Sequence, residues 1–499
     1  MKYVSTRGSS GEHSAAEAIA LGLAPDGGLF TPVSFPQLSQ SDFEALYPMQ
    51  YDARAARILS LFLDDYSEEE LSEYTKAAYS AQKFNAGRVA PVVKLSDQEY
   101  MLELWHGPTC AFKDMALQLL PHLMTAALRK TGEKRTACIL VATSGDTGKA
   151  ALEGFCDVDG TQILVFYPEN GVSTIQKLQM TTQAGNNVGV VAIRGNFDDA
   201  QTAVKEIFSD DAIERLLDQN GKFFSSANSI NWGRLVPQIA YYISAYCDMV
   251  VKGEIAYGDK VNICVPTGNF GNILAAYIGM RMGLPVNRLI CASNSNNVLT
   301  DFFLSGGRYN ANRRFYETMS PSMDILVSSN LERLLYYASE ENSAYVAELM
   351  EALAEKREYV ISAAMAEEIS AVFDAGMCDE ASTAATIEHL FRKENYLCDP
   401  HTAVAVDVYR QYARRTGDQT KTIIASTASP FKFCASVLRA LGEDVRTDGP
   451  ELIGLLELKT GRTAPLPLSE LSRREVRFRQ TVNKEEITKA VLQSLQIEA

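Results

Sequence analysis

No stretch of this 499-residue chain is both apolar and long enough to cross a bilayer. The longest uncharged apolar runs, Leu235 to Cys247 and Asn269 to Met280, are short and carry Pro237, Gln238, Asn269 and Asn272, so no membrane span is expected. The start, MKYVSTRGSSGEHSAAEA, lacks the apolar core of a secretory signal, and its early acids Glu12 and Glu17 argue against a transit peptide; a cytoplasmic location is expected. Positive charge is scarce, with 47 Lys and Arg against 62 Asp and Glu and a net charge of −15. Non-specific binding to nucleic acid or to an anionic membrane is thereby excluded, and any anion must meet a local site. Nine cysteines, odd in number and mostly within apolar runs, make no disulfide framework, and no Cys/His spacing resembles a metal site. Internal repeats and low-complexity tracts are also missing, which excludes a solenoid or a long disordered linker. What is present, 46% hydrophobic and 22% charged residues, is an ordinary globular composition at a length of several domains.

The recurring unit is strand, loop, helix. Thr136 to Ala142, Ile163 to Tyr167, Val188 to Ile193, Val261 to Val265, Leu289 to Ala292 and Thr422 to Ala425 are short apolar runs without alternation, most followed by a polar loop and a helical pattern. Such strands suit a parallel sheet buried on both faces, so the class is α/β. Ligands in these sheets bind at the loops following the carboxyl ends of strands. Residues 1–95 read instead as helices, around Ala15 to Leu21 and Ser67 to Gln82, joined by Pro/Gly loops. Residues near 330–395 read as charged helices forming an insertion or a covering layer.

Four loops carry chemistry. Thr267-Gly268-Asn269-Phe270-Gly271-Asn272, between a strand and a helix, is a phosphate cradle or merely a tight turn. Thr143-Ser144-Gly145-Asp146-Thr147-Gly148-Lys149 is not a P-loop, because that motif needs Gly at 143 and Ser or Thr at 150, where Thr143 and Ala150 stand. It remains a hydroxyl-rich turn suited to a carboxylate or phosphate, or an ordinary cap. Ser426 to Lys432 offers neutral hydroxyls and one ammonium but no carboxylate, or is simply a Ser-capped helix start with Pro in its first turn and an exposed lysine. His106 to Asp114 sets Lys113 after a Gly-Pro turn among Phe112, Met115 and Ala116, where desolvation would make its amine nucleophilic; most lysines are simply solvated.

Taken in order, YVSTRG at 3–8, GLAPDGGLF at 22–30, HGPTCAFKD, TSGDTG, TGNFGN, DPHTAV at 399–404 and STASPFKF at 426–433 resemble the pyridoxal-phosphate enzymes of fold type II. Within them the resemblance is to the threonine synthases of the longer, fungal and enterobacterial kind, and it runs over most of the chain. It implies pyridoxal 5′-phosphate as cofactor, held covalently by Lys113, with its phosphate on Gly268, Asn269, Phe270, Gly271 and Asn272 and its pyridine nitrogen on Thr427. A hydroxyl there, unlike a carboxylate, leaves the ring a moderate electron sink. Thr143, Ser144, Asp146 and Thr147 fall where similar enzymes bind the substrate, with an anionic Asp146 awkward beside a carboxylate. Lys432, Arg234 and Lys149 are candidates to hold the leaving phosphate. Cys110, Lys149 and Ser429 depart from the family's usual residues.

The implied activity is that of a lyase acting on a phosphate ester: O-phospho-L-homoserine and water give L-threonine and phosphate. A phospho-lyase giving 2-oxobutyrate, or a non-catalytic binding protein on the same fold, are the rivals. A small-molecule substrate, no nucleic acid, no membrane, and a monomer or homodimer complete the expectation. The implied organisation is an N-terminal region over 1–95, a large cofactor domain over 96–118 and 222–499 with the 330–395 insertion, and a small mobile domain over 119–221.

Overall fold

All six apolar runs form strands, and they divide between two parallel sheets because helices cover both faces of each. The computed structural model describes residues 1–85, 88–143, 145–170, 172–195, 197–208 and 210–497. The larger sheet runs in the order Phe373–Met377, Val286–Ser293, Val261–Pro266, Thr422–Ser426, Glu99–Glu103, Val92–Lys94. Only the last pairing is antiparallel. Thr422 stands opposite both Glu99 and Asn262, and Ser426 opposite Glu103, so these strands end together. That register sets the loops TGNFGN, STASPFK and HGPTCAFK side by side. The second sheet, Thr481–Asn483, Val188–Arg194, Thr161–Pro168, Thr136–Ala142, Lys222–Ser225, is parallel throughout and sends TSGDTG from the end of its Thr136–Ala142 strand.

Two segments differ from the sequence reading. The 330–395 stretch is more than a cover: Phe373–Met377 pairs with Val286–Ser293 and forms an edge of the larger sheet. FDAGM, with one Asp and one Gly between two helical patterns, carries too little β-branched character to signal a strand. The second sheet also reaches beyond 119–221, taking Lys222–Ser225 on one edge and Thr481–Asn483 on the other. A three-residue strand whose partner lies far away in sequence gives no local sign of where it pairs.

The N-terminal helices are set by capping boxes, Ser14 with Glu17 and Ser67 with Glu70. Helix Glu68–Ala78 stops short of the expected Gln82. They pack on the buried helix Trp232–Val251, where Tyr3 and Phe62 close on Trp232 at 5.5 and 5.7 Å between ring centroids. The YVSTRG segment is anchored by Arg7, which donates twice to Glu332 at 2.9 Å. Among the described residues no helix is long and apolar enough to cross a membrane, and no cluster of three or more His, Cys, Asp or Glu could hold a metal ion.

Candidate active site

The turn before Lys113 is tied by Asp114, which accepts from the Thr109 N–H at 2.8 Å and the Thr109 hydroxyl at 2.7 Å. A Cβ on Gly107 would lie 2.6 Å from the Asp114 carboxylate, so the turn requires glycine there. Burial pushes the Asp114 carboxyl up to about 6 despite these donors. The turn is then stitched to the neighbouring loop. The Ser429 N–H donates to Cys110 O at 3.0 Å, the Phe112 N–H to Thr427 O at 2.8 Å, and Ala111 bridges Ala428. This brings Thr427, buried and with a hydroxyl that bonds no other described residue, beside the segment that carries Lys113. The Cys110 thiol is pushed up to about 12 by burial and stays protonated.

Lys113 stands at the N-cap of the short helix Asp114–Leu117, its side chain 11% exposed and its ammonium 4.8 Å from the Phe112 ring centre. Burial lowers its pKa to about 8; Asp146 opposes that shift, and Lys432 and Arg234 add to it. An amine is therefore present in quantity near neutral pH.

Asp146 begins the helix Asp146–Gly154 and joins the two sheets across the cleft. Lys432 Nζ lies 2.7 Å from one oxygen and Lys113 Nζ 3.8 Å from the other. Gln176 donates at 3.0 Å, and the Ser322 hydroxyl lies at 3.4 Å. Burial would raise its carboxyl, but Lys432 and Lys113 prevail and hold it below the usual carboxylate range. Lys432, fully buried, also donates to Thr109 O at 2.8 Å. Its ammonium is thus neutralised in the protein itself rather than waiting for a substrate phosphate. Lys149 is likewise engaged, by Glu153 at 2.7 Å one helical turn on and by Gln183, and is not a free cation. The Thr143 hydroxyl accepts from the N–H groups of Gly145 and Gly148 at 3.0 and 2.9 Å and shapes the loop. Thr147 is half-buried beside it, and Ser144 lies outside the described residues.

Across the cleft, Phe270 takes a left-handed φ of 66° as the cap of helix Gly271–Arg281. The carbonyls of Gly268 and Asn269 are occupied, the first by Ser328 Oγ at 2.7 Å and the second by the Asn330 N–H at 3.1 Å. The first N–H groups of the helix have no partner within it. A Cβ on Gly268 would sit 2.7 Å from Ser322 O, leaving no room for another side chain. Asn272 takes the Tyr241 hydroxyl on its amide oxygen at 2.7 Å and Tyr242 likewise, while its buried NH2 has no partner. Arg234 donates to Ala227 O at 2.5 Å, its buried Nε is unpartnered, and burial alone pushes its guanidinium down to about 10. A buried cation with no counter-ion among the described residues, and a buried amide NH2 without a partner, are strongly unfavourable unless an anion arrives.

Sequence reasoning missed the groups that fix the far side of Asp146. Asp399 caps helix Pro400–Thr416 and lies 2.6 Å from His401 Nδ1, while His401 Nε2 accepts from the Ser322 N–H at 3.1 Å. The ring thereby presents Ser322 toward Asp146. DPHTAV was visible as a motif without a role; nothing in the residues around Ser322 marked it.

The cleft asks for a small molecule with a phosphate for the unpartnered donors, a carbonyl for the Lys113 amine, and a ring nitrogen that needs no carboxylate. Pyridoxal 5′-phosphate fits these residues, and the fold and site define a pyridoxal-phosphate-dependent enzyme. The family model for pyridoxal-phosphate dependent enzymes matches residues 86–427, flanked by those for the threonine synthase N terminus over 2–79 and C terminus over 402–491. Threonine synthase of Pseudomonas aeruginosa is 38% identical over 441 residues, covering 88% of this chain and 90% of that protein. Human threonine synthase-like 1 is 42% identical over 436 residues, and the match spans 85% of this chain but only 58% of that longer relative. The crystal structure of pyridoxal-phosphate-bound threonine synthase from Brucella melitensis superposes with a TM-score of 0.87 at 37% identity over all of both chains, and that of the yeast enzyme with 0.88 at 32% over 99% of each. The chain belongs to the threonine synthase family.

Proposed function

We propose that this protein converts O-phospho-L-homoserine and water to L-threonine and phosphate. The observation that carries the reading is the Lys113–Asp146–Lys432 chain, with the unpartnered Arg234 and Asn272 donors in the same cleft. Lys113, Arg234 and Lys432 against Asp146 give a surplus of positive charge, suited to a substrate that brings both a carboxylate and a phosphate. Pyridoxal phosphate, when bound, supplies an electron sink that makes protons beside the substrate's amino group removable.

In this reading the 268–272 loop and the Asn272 amide hold the cofactor phosphate, and the Thr427 hydroxyl faces the ring nitrogen. The Lys113 amine, near its own pKa at neutral pH, takes protons from substrate Cα and Cβ and returns them at Cα and at Cγ, where a proton replaces the departed phosphate. Phosphate leaves from Cγ and water adds at Cβ. Arg234, which has no counter-ion among the described residues, is assigned first to the leaving phosphate, with Lys432 second because Asp146 already holds it. The carboxylate falls to the turn around Thr143 and Thr147, and Asp146 is kept from repelling it by its two lysines. Residues 119–221 act as a smaller body closing the cleft, with Lys222–Ser225 and Thr481–Asn483 moving with it.

The test is product analysis with purified holoenzyme and O-phospho-L-homoserine. Threonine and phosphate in equal amounts support the reading. Phosphate with 2-oxobutyrate and no threonine assigns a phospho-lyase instead, and no phosphate release overturns both.

A further inference from the structure

A second cavity, of about 290 Å³, lies apart from the cleft: neither Lys113, Asp146, Thr427 nor Asn272 lines it. It forms where three stretches meet. Lys83 comes from the N-terminal region, Pro108 and Gln118 flank the lysine-bearing turn on either side, and Glu153 belongs to the last turn of the helix that Asp146 begins. His122 completes it, its ring stacked on Tyr74 at 5.7 Å.

The donors here are unusually idle. Gln118 is 2% exposed, and its buried NH2 has no hydrogen-bond partner. The half-buried Lys83 ammonium makes no ion pair among the described residues. Burial lowers its pKa, with Glu153 and Asp114 opposing. Burial and then Lys83 lower that of His122, with Glu73 opposing. Glu153 lines the same cavity, and its ion pair is with Lys149, at 2.7 Å. Leaving a buried amide N–H and a partly buried ammonium unpaired is unfavourable in the same direction, and one ligand relieves both.

We propose that this cavity binds one small oxyanion, brought either as free phosphate or as the carboxylate of a free amino acid. Its oxygens accept from Lys83 Nζ and Gln118 Nε2, with His122 as a third donor. The ligand sits at the opposite end of the Asp146 helix from the catalytic cleft. It therefore ties the N-terminal region to the body that carries Asp146, and the cavity is a place from which the cleft can be tuned. The assignment does not depend on which reaction the cleft performs.

The experiment is calorimetric titration of the holoenzyme with its cleft saturated by a phosphonate analogue of O-phosphohomoserine. One arm uses inorganic phosphate and the other L-threonine, and the arm that binds one equivalent identifies the source. Lys83→Met and Gln118→Leu should each weaken that binding about tenfold, and Lys83→Arg should restore it. An anion beside His122 favours its charged form, so the His122 ring titration followed by NMR in the wild-type protein should move to higher pH when the site fills. That last readout needs no variant. Absence of binding in both arms, binding indifferent to Lys83→Met, or a His122 titration that does not move overturns the proposal.

Discussion

The two walls of the cleft are made in different ways. The wall from the larger sheet is stitched through backbone: Ser429 to Cys110, Phe112 to Thr427, Asn330 to Asn269, with glycines where no other residue fits. The wall from the second sheet meets it mainly through side chains, above all at Asp146, which Lys432, Lys113 and Ser322 reach from across the cleft. Backbone stitching holds geometry whatever the solution conditions, whereas an ion-paired seam responds to a single substitution or proton. The two walls are thus built from different bonds.

The sharpest test of the fixed wall is to remove Lys113. Lys113→Ala should lower turnover about 10³-fold or more, within the range of general acid–base catalysis, and borohydride reduction followed by peptide mapping should find no cofactor on the chain. At the seam, Asp146→Asn leaves Lys432 buried without a counter-ion and should cost about 3–5 kcal/mol in chemical denaturation. The matched change in the fixed wall, Asn272→Ala, leaves the Tyr242 hydroxyl without its acceptor, while Tyr241 keeps Gln238 Oε1 at 3.0 Å, and should cost about 1–3 kcal/mol. If the two losses are equal, the contrast between the walls fails.

The seam also sets a pH dependence. Because folding lowers the Lys113 pKa to about 8, the unfolded chain binds more protons between there and the ordinary lysine range, and this group's contribution to stability rises with pH across that window. The rate at which the apo chain captures pyridoxal phosphate should likewise rise through about pH 8 and then level. In Asp146→Asn the partner that opposes the shift is gone, so the midpoint of capture should move to lower pH. The smallest effect belongs to Lys149: Lys149→Gln should change KM for the phosphorylated substrate less than about twofold, against about tenfold for Arg234→Ala.

What could be read from the sequence was local. A short apolar run followed by a Gly- or hydroxyl-rich loop marks a strand end, and parallel order makes strand ends converge, so the loops TSGDTG, TGNFGN and STASPFK were legible without any contact being known, whereas Lys113, which follows the unread strand Glu99–Glu103, was singled out only by the family resemblance. Charge pairing was not. Lys432 reads as a free ammonium until two sheets face each other and Asp146 meets it. Lys149 differs: its partner Glu153, four residues on in a helical pattern, was in plain view in the sequence. The strand Phe373–Met377 and the placement of Ser322 by His401 depend on neighbours distant in the chain, which no local pattern encodes.

The strand Thr481–Asn483 changes how the smaller body is tethered. The chain enters that body before Thr136, leaves after Ser225, and returns near Arg477, which clasps the carbonyls of Gln183 and Gly185. Three connections instead of two make it inseparable as a contiguous fragment: residues 119–221 alone would expose Val188–Arg194 and Thr136–Ala142 as open edges. A proteolytic nick between Arg474 and Gln480 would spare every group in the cleft, yet it would free one tether and offer the Val188–Arg194 edge to any strand that could pair with it.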